Sequence, residues 1–126
     1  MMPKLRLLIV DDEPIIALEI ASIVQDAGCD ASAVVNSIDA ALAVIDRNGC
    51  DAAILDANLR GSSAAPIANR LRASGLPFFV VTGYSPDEIG DWAGDATVLT
   101  KPFELNDLVA VISKLAKDLM SRCESQ

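Results

Sequence analysis

The chain has 126 residues, the length of one domain of roughly 100–150 residues. Apolar residues make up 52% and charged residues 22%, which excludes a disordered or collagen-like chain. Acids outnumber bases 18 to 10 for a net charge of −8, and there is no histidine. A nucleic-acid backbone would be repelled, and His triads, His-ligated metals and a phosphohistidine relay within the chain are excluded.

Cys29, Cys50 and Cys123 are odd in number and show no CxxC spacing. That argues against a disulfide framework or zinc site and suits a reducing, cytoplasmic setting. No apolar run approaches the roughly 18 residues of a membrane span. The first apolar run is also too short for a signal peptide.

The chain alternates short apolar runs with amphipathic stretches. Residues 5–10 read as the first strand. Pro14 then fits the first turn of a helix, where its missing N–H is not needed. Ile16, Ile20, Ile23, Val24 and Ala27 share a helical face, and Gly28 suits the stop. Residues 31–35 form the second strand. Ser37 can cap a second helix with Ile38, Ala41, Leu42 and Ile45 on one stripe and Gly49 after it. Residues 52–55 form the third strand. Ser62 or Ser63 can cap the next helix, with Ile67, Ala68 and Leu71 inward and Gly75 at its end. Residues 77–81 form the fourth strand.

Residues 84–95 hold Pro86, Gly90 and Gly94 with four acids and no base. Gly costs about 1 kcal/mol against Ala inside a helix, so a short or irregular segment is expected where a fourth helix would lie. Residues 96–100 form the fifth strand. The last helix carries the clearest stripe: Leu105, Leu108, Val109, Ile112, Leu115, Ala116 and Leu119.

Adjacent apolar residues within the strands indicate burial on both faces. The fold class expected is α/β, a doubly wound five-stranded parallel sheet with right-handed crossovers. The pattern spans residues 1–126, so one domain without an output domain is expected.

In such a sheet ligands bind beyond the carboxyl ends of the strands, where strand order reverses. Asp11, Asp12 and Glu13 follow the first strand and Asp56 follows the third. Thr82 ends the fourth, and Lys101-Pro102 ends the fifth. In the order 2-1-3-4-5 the carboxylates of strands one and three share a pocket, with Thr82 and Lys101 entering from neighbouring strands. Like charges at about 4 Å and an effective dielectric near 20 cost roughly 4 kcal/mol per pair before screening. Such a cluster persists by holding a cation or a proton. Oxygen donors without His or Cys suit Mg²⁺. Lys101 can balance a carboxylate or a phosphoryl group, and Thr82 can donate to an oxyanion.

These residues carry a family resemblance over essentially the whole chain. Ile9-Val10-Asp11-Asp12-Glu13-Pro14, Asp56, Thr82 and Lys101-Pro102-Phe103, in order and each at a strand end, resemble bacterial response-regulator receiver domains with their flavodoxin-like fold. The resemblance implies that Asp56 is the phosphoacceptor, taking a phosphoryl group from the phosphohistidine of a sensor histidine kinase or phosphotransfer protein. It implies Asp12 as a direct Mg²⁺ ligand, Asp11 acting through metal-bound water, and the Asn58 carbonyl completing the set with Asp56. Lys101 would pair with Asp56 and then with the phosphoryl group, and Thr82 would report its presence. The aspartyl phosphate would hydrolyse by itself, with Asn58 and Gly83 flanking the path of water. The domain would not be an enzyme with a turnover substrate. It would switch protein–protein interactions or act as a phosphate sink.

Phe79-Val80-Val81-Thr82-Gly83-Tyr84 resembles a receiver subgroup with a Phe-Ala-Thr-Gly-Tyr-type motif and a poorly formed fourth helix. Many receivers carry a switch aromatic three residues before the lysine, where this chain has Val98. Tyr84 and residues 84–95 are therefore the expected switch.

Blander readings stand beside these. Asp11, Asp12 and Glu13 could simply favour a helix N-terminus, and Glu13 reads better as a solvated acid than as a ligand. Lys101-Pro102 could be a turn, Thr82 a strand-end hydroxyl, and Tyr84 and Trp92 packing residues. Three other functions fit the residues less well. A constitutive binding module that is never phosphorylated would not need the full set of site residues. An aspartate-nucleophile phosphatase would want a second Asp where Asn58 stands. A flavin mononucleotide carrier would want a Ser/Thr/Gly-rich loop after the first strand.

Overall fold

The computed structural model describes residues 5–59, 62–82, 97–100 and 105–124. The central sheet is parallel and five-stranded. It contains β1 (Arg6–Val10), β2 (Asp30–Val35), β3 (Ala52–Asp56), β6 (Phe78–Thr82) and β7 (Val98–Thr100), in the order β2-β1-β3-β6-β7. Counting only these strands, this is the anticipated order 2-1-3-4-5. A second, two-stranded antiparallel ladder joins β4 (Asn58–Leu59) to β5 (Ser62–Ser63).

The three central strands are buried almost throughout, which is why they read as unbroken apolar runs. Their side chains alternate between two cores. Leu7, Ile9, Ile54, Phe79 and Val81 face α1 (Pro14–Asp26) and α4 (Leu105–Glu124), meeting Ile20, Val24, Leu108 and Ile112. Leu8, Val10, Ala53 and Leu55 face α2 (Ile38–Asp46) and α3 (Ala65–Ala73), meeting Ala41, Ile45, Ile67 and Leu71. The edge strands β2 and β7 are only partly covered.

Several boundaries differ from the sequence reading. The third and fourth strands each run one residue further, through Asp56 and Thr82, because β3 and β6 pair up to Asp56↔Val81 and β6 and β7 up to Thr82↔Thr100. The fifth begins at Val98. Ala27 is not on the buried face of α1; it is its exposed C-cap, with Gly28 following at φ +87°. In α2 Val44 joins Ala41 and Ile45 as a buried residue, while Leu42 is only half-buried.

Ser37 caps α2 as anticipated, accepting from Ala40 N–H at 3.2 Å. After that helix Asn48, not Gly49, adopts the left-handed conformation, at φ 58°. Gly49 is required for space: a Cβ there would stand 2.9 Å from Val44 Cγ1. The N-cap of α3 is Ala64, not a serine, but Ser63 Oγ accepts from Ala65 N–H at 3.0 Å from one residue earlier. The expected irregular segment at 84–95 lies outside the described residues.

At the amino ends of the strands, Arg6 ties β1 to the start of β3. Its guanidinium meets Asp51 Oδ1 at 3.0 Å and Asp51 Oδ2 at 3.3 Å, and donates to the Asn48 carbonyl at 2.9 Å. The Arg6 backbone N–H donates to Asp51 Oδ2 at 2.9 Å. Burial pushes the Asp51 carboxyl up, but the hydrogen bonds and charge of Arg6 outweigh it and hold it below its ordinary value. Cys29 and Cys50 are buried free thiols, and burial raises both above the ordinary thiol value. That disfavours the reactive thiolate.

Candidate functional site

Strand order reverses between β1 and β3, since β1 leads outward to β2 on one side and β3 to β6 on the other. The crevice beyond their carboxyl ends is where an α/β sheet binds its ligand. Asp11 follows β1 directly. Its N–H donates to the Val35 carbonyl at 3.1 Å, and its Oδ1 accepts from Glu13 N–H at 2.9 Å. Both bonds fix the turn from strand into helix. Asp11 is only 2% exposed and Asp12 is half-buried. Asp56 closes β3 at 6% exposure, and Thr82 closes β6 at 0%.

The fold brings three of these groups together. One carboxylate oxygen from each of Asp11, Asp12 and Asp56 lies within 4.8 Å of the others. Asp56 lies more than forty positions beyond Asp11 and Asp12, and only the β1–β3 pairing makes them neighbours. Three carboxylates at such distances repel unless a cation or proton is shared. The donor set is all oxygen and partly buried, which suits Mg²⁺ better than a transition metal.

Glu13 stands apart. It is exposed at the N-cap of α1, with no side-chain capping bond. Asn58 lies in β4, two residues beyond Asp56, opposite Ser63 in the β4–β5 register. Val98, at the position of the usual switch aromatic, pairs with Val80 and packs beside Val80 and Ala57. Lys101, Pro102, Phe103, Gly83, Tyr84 and Trp92 lie outside the described residues.

Two features of the site were not read from the sequence. Ala57 is stitched on both sides: its N–H donates to the Val81 carbonyl at 2.9 Å and its carbonyl accepts from Ala64 N–H at 3.2 Å. The β4–β5 ladder then follows at once. Ser62 and Ser63 read as cap candidates, and a two-residue ladder is too short to leave a periodic signal.

The sequence matches the profile of the response regulator receiver domain family over residues 7–113. This chain belongs to that family. It is 35% identical over 109 residues to the sensory transduction protein RegX3 of Mycobacterium tuberculosis, covering 83% of this chain and 48% of RegX3. The chain thus spans about half the length of the curated relatives it matches.

Among solved structures, the solution structure of SdrG from Sphingomonas melonis Fr1 is similar at 35% identity and TM-score 0.79. That match covers 92% of this chain and 99% of SdrG. The BeF3-activated conformation of SdrG, from Pseudomonas melonis Fr1, matches at 36% identity and TM-score 0.77, covering 90% and 98%.

The receiver is a module of two-component signalling. Receiver domains act generally as phosphoacceptors and bind Mg²⁺ at an acidic pocket; in this chain Asp11, Asp12 and Asp56 form an acidic cluster. Their usual partners are histidine kinases or phosphotransfer proteins. Among the described residues, no helix of this receiver is long and apolar enough to cross a membrane.

Proposed function

We propose that this receiver accepts a phosphoryl group on Asp56 from the phosphohistidine of a sensor kinase or phosphotransfer protein and uses it to switch protein contacts. The observation that carries the reading is the convergence of Asp11, Asp12 and Asp56 at the strand-order reversal, with buried Thr82 closing the adjacent strand. The similarity to SdrG in a BeF3-activated conformation supports it, because trifluoroberyllate on a carboxylate has the tetrahedral shape of a phosphoryl group.

Asp12 and Asp56 would hold Mg²⁺ directly, with the Asn58 carbonyl, and Asp11 would act through its bound water. The cation would neutralise the carboxylates and the incoming phosphoryl oxygens. An Asp56 carboxylate oxygen attacks phosphorus in line, the phosphorus–nitrogen bond of the donor breaks, and the electron pair leaves on the donor imidazole. Thr82 then donates its hydroxyl to a phosphoryl oxygen, and Lys101 supplies a matching positive charge. The Thr82 contact and a rearrangement at Tyr84 bias the domain toward its partner-binding form. A coupling of about 1–3 kcal/mol changes partner affinity several-fold to about a hundredfold.

Intact mass after exposure to a small acyl-phosphate donor tests the proposal. Wild type with Mg²⁺ is expected to gain one phosphoryl group, while Asp56→Asn and a metal-free sample gain none. An increment that persists in Asp56→Asn would refute the assignment. No increment from any donor, including a phosphohistidine protein, would favour a module that binds its partner without phosphate.

A further inference from the structure

The chain just after Asp56 is shaped by a hairpin whose register has a consequence for the cation. In an antiparallel ladder, opposed residues alternate between hydrogen-bonded and non-hydrogen-bonded pairs. The bond from Ala64 N–H to the Ala57 carbonyl sets the phase. Asn58 opposes Ser63 and Leu59 opposes Ser62. Leu59–Ser62 is therefore the hydrogen-bonded pair, and Asn58–Ser63 is the pair whose backbone N–H and C=O groups point out of the ladder. A slip of one residue would exchange these roles and turn the Asn58 carbonyl inward.

Something must hold that register, because a two-residue ladder is marginal by itself. Leu59 does so. It is 3% exposed and belongs to the core on the α2–α3 side, with Leu55, Ala64 and Ile67, whereas Ser62 and Ser63 are exposed. Slipping the register would bring this leucine out of that core.

We propose that the β4–β5 hairpin is a positioning device for the cation. Burial of Leu59 locks the register that presents the Asn58 carbonyl, two residues past Asp56, as an oxygen donor. Leu59 and its ladder to Ser62 are positioning elements that touch neither metal nor phosphate. The inference rests on the phosphoacceptor reading above and assigns its metal site a support.

The test is Mg²⁺ binding by calorimetry on the full chain without any phosphoryl donor, alongside urea unfolding in EDTA. Ser62→Pro removes a ladder N–H at an exposed position and leaves the core intact. Leu59→Ala removes the anchor, and Leu59→Met restores a buried apolar side chain of similar volume. Ser62→Pro and Leu59→Ala are expected to weaken Mg²⁺ binding by about tenfold or more, the usual effect of losing an outer support. Leu59→Met is expected to stay within about twofold of wild type, since volume-conserving swaps are tolerated. The Ser62→Pro unfolding midpoint in EDTA should match wild type, separating site support from global stability.

Ser62→Pro binding Mg²⁺ as tightly as wild type would overturn the inference, whether or not Leu59→Ala folds. Wild type failing to bind Mg²⁺, or Asp12→Asn binding it equally well, would instead sink the phosphoacceptor reading and this inference with it.

Discussion

Asp56 and Thr82 are the last residues of neighbouring parallel strands, and Thr82 stands one register step beyond Asp56, which pairs with Val81. A threonine one step further along the adjacent strand can reach a group added to Asp56 without disturbing the pairing beneath it. In the proposed function, this offset would let Thr82 sense a phosphoryl group on Asp56.

Thr82→Ser should therefore preserve the switch, and Thr82→Val should uncouple it. Thr82→Val fits the same volume but removes a buried hydroxyl, costing about 0.5–1.5 kcal/mol of stability. Phosphorylation of Asp56 should continue while the phosphate-dependent gain in partner affinity falls to near unity. Equal gains for Thr82→Val and wild type would remove Thr82 from the mechanism.

Asp11, Asp12 and Asp56 are held together against their own repulsion. In EDTA, Asp12→Asn should raise stability by about 1–2 kcal/mol, a Coulombic relief already reduced by the partial exposure of Asp12. With Mg²⁺ at about a hundred times its Kd, wild type should gain about 2.7 kcal/mol and the variant little. Thermal unfolding with and without Mg²⁺ gives both numbers. A variant less stable than wild type in EDTA would show that repulsion is not the dominant cost.

The Arg6–Asp51 staple makes a pH-dependent contribution. The folded-state value of Asp51 lies below its ordinary 3.8. Its contribution is thus fully present above about pH 5 and fades as the pH falls through the folded value. Both partners are more than a third exposed, so after screening Asp51→Asn should cost only about 1 kcal/mol at pH 7. Urea unfolding of both proteins from pH 7 downward should show the difference closing on the acid side. A difference that grows toward acid would contradict the sign.

Gly49→Ala should destabilise by about 1–3 kcal/mol through overpacking, because its Cβ would press on Val44 Cγ1 at 2.9 Å and the Val44 carbonyl oxygen at 3.1 Å. Val44→Ala in the same chain should make the second substitution less costly. Additive costs in the double variant would place the effect in the backbone and not in this contact.

The strands and helices of this receiver were legible because its core is two-sided. Leu7 to Val10, Ala52 to Leu55 and Phe79 to Val81 must bury both sheet faces, so they appear as unbroken apolar runs. The sequence by itself also determined that acids stand at the carboxyl ends of the first and third strands and that Thr82 ends the fourth.

Tertiary structure decided what those residues do together. The β1–β3 pairing, between segments more than forty positions apart, turned separate strand-end acids into one cluster. Packing against Val44 made Gly49 a matter of space, while the turn itself fell to Asn48. The Ala57–Ala64 bond and the burial of Leu59 set a hairpin that no local pattern announced. Local periodicity encodes which face is buried. Register and close approach depend on atoms from distant segments, and only the folded chain brings them together.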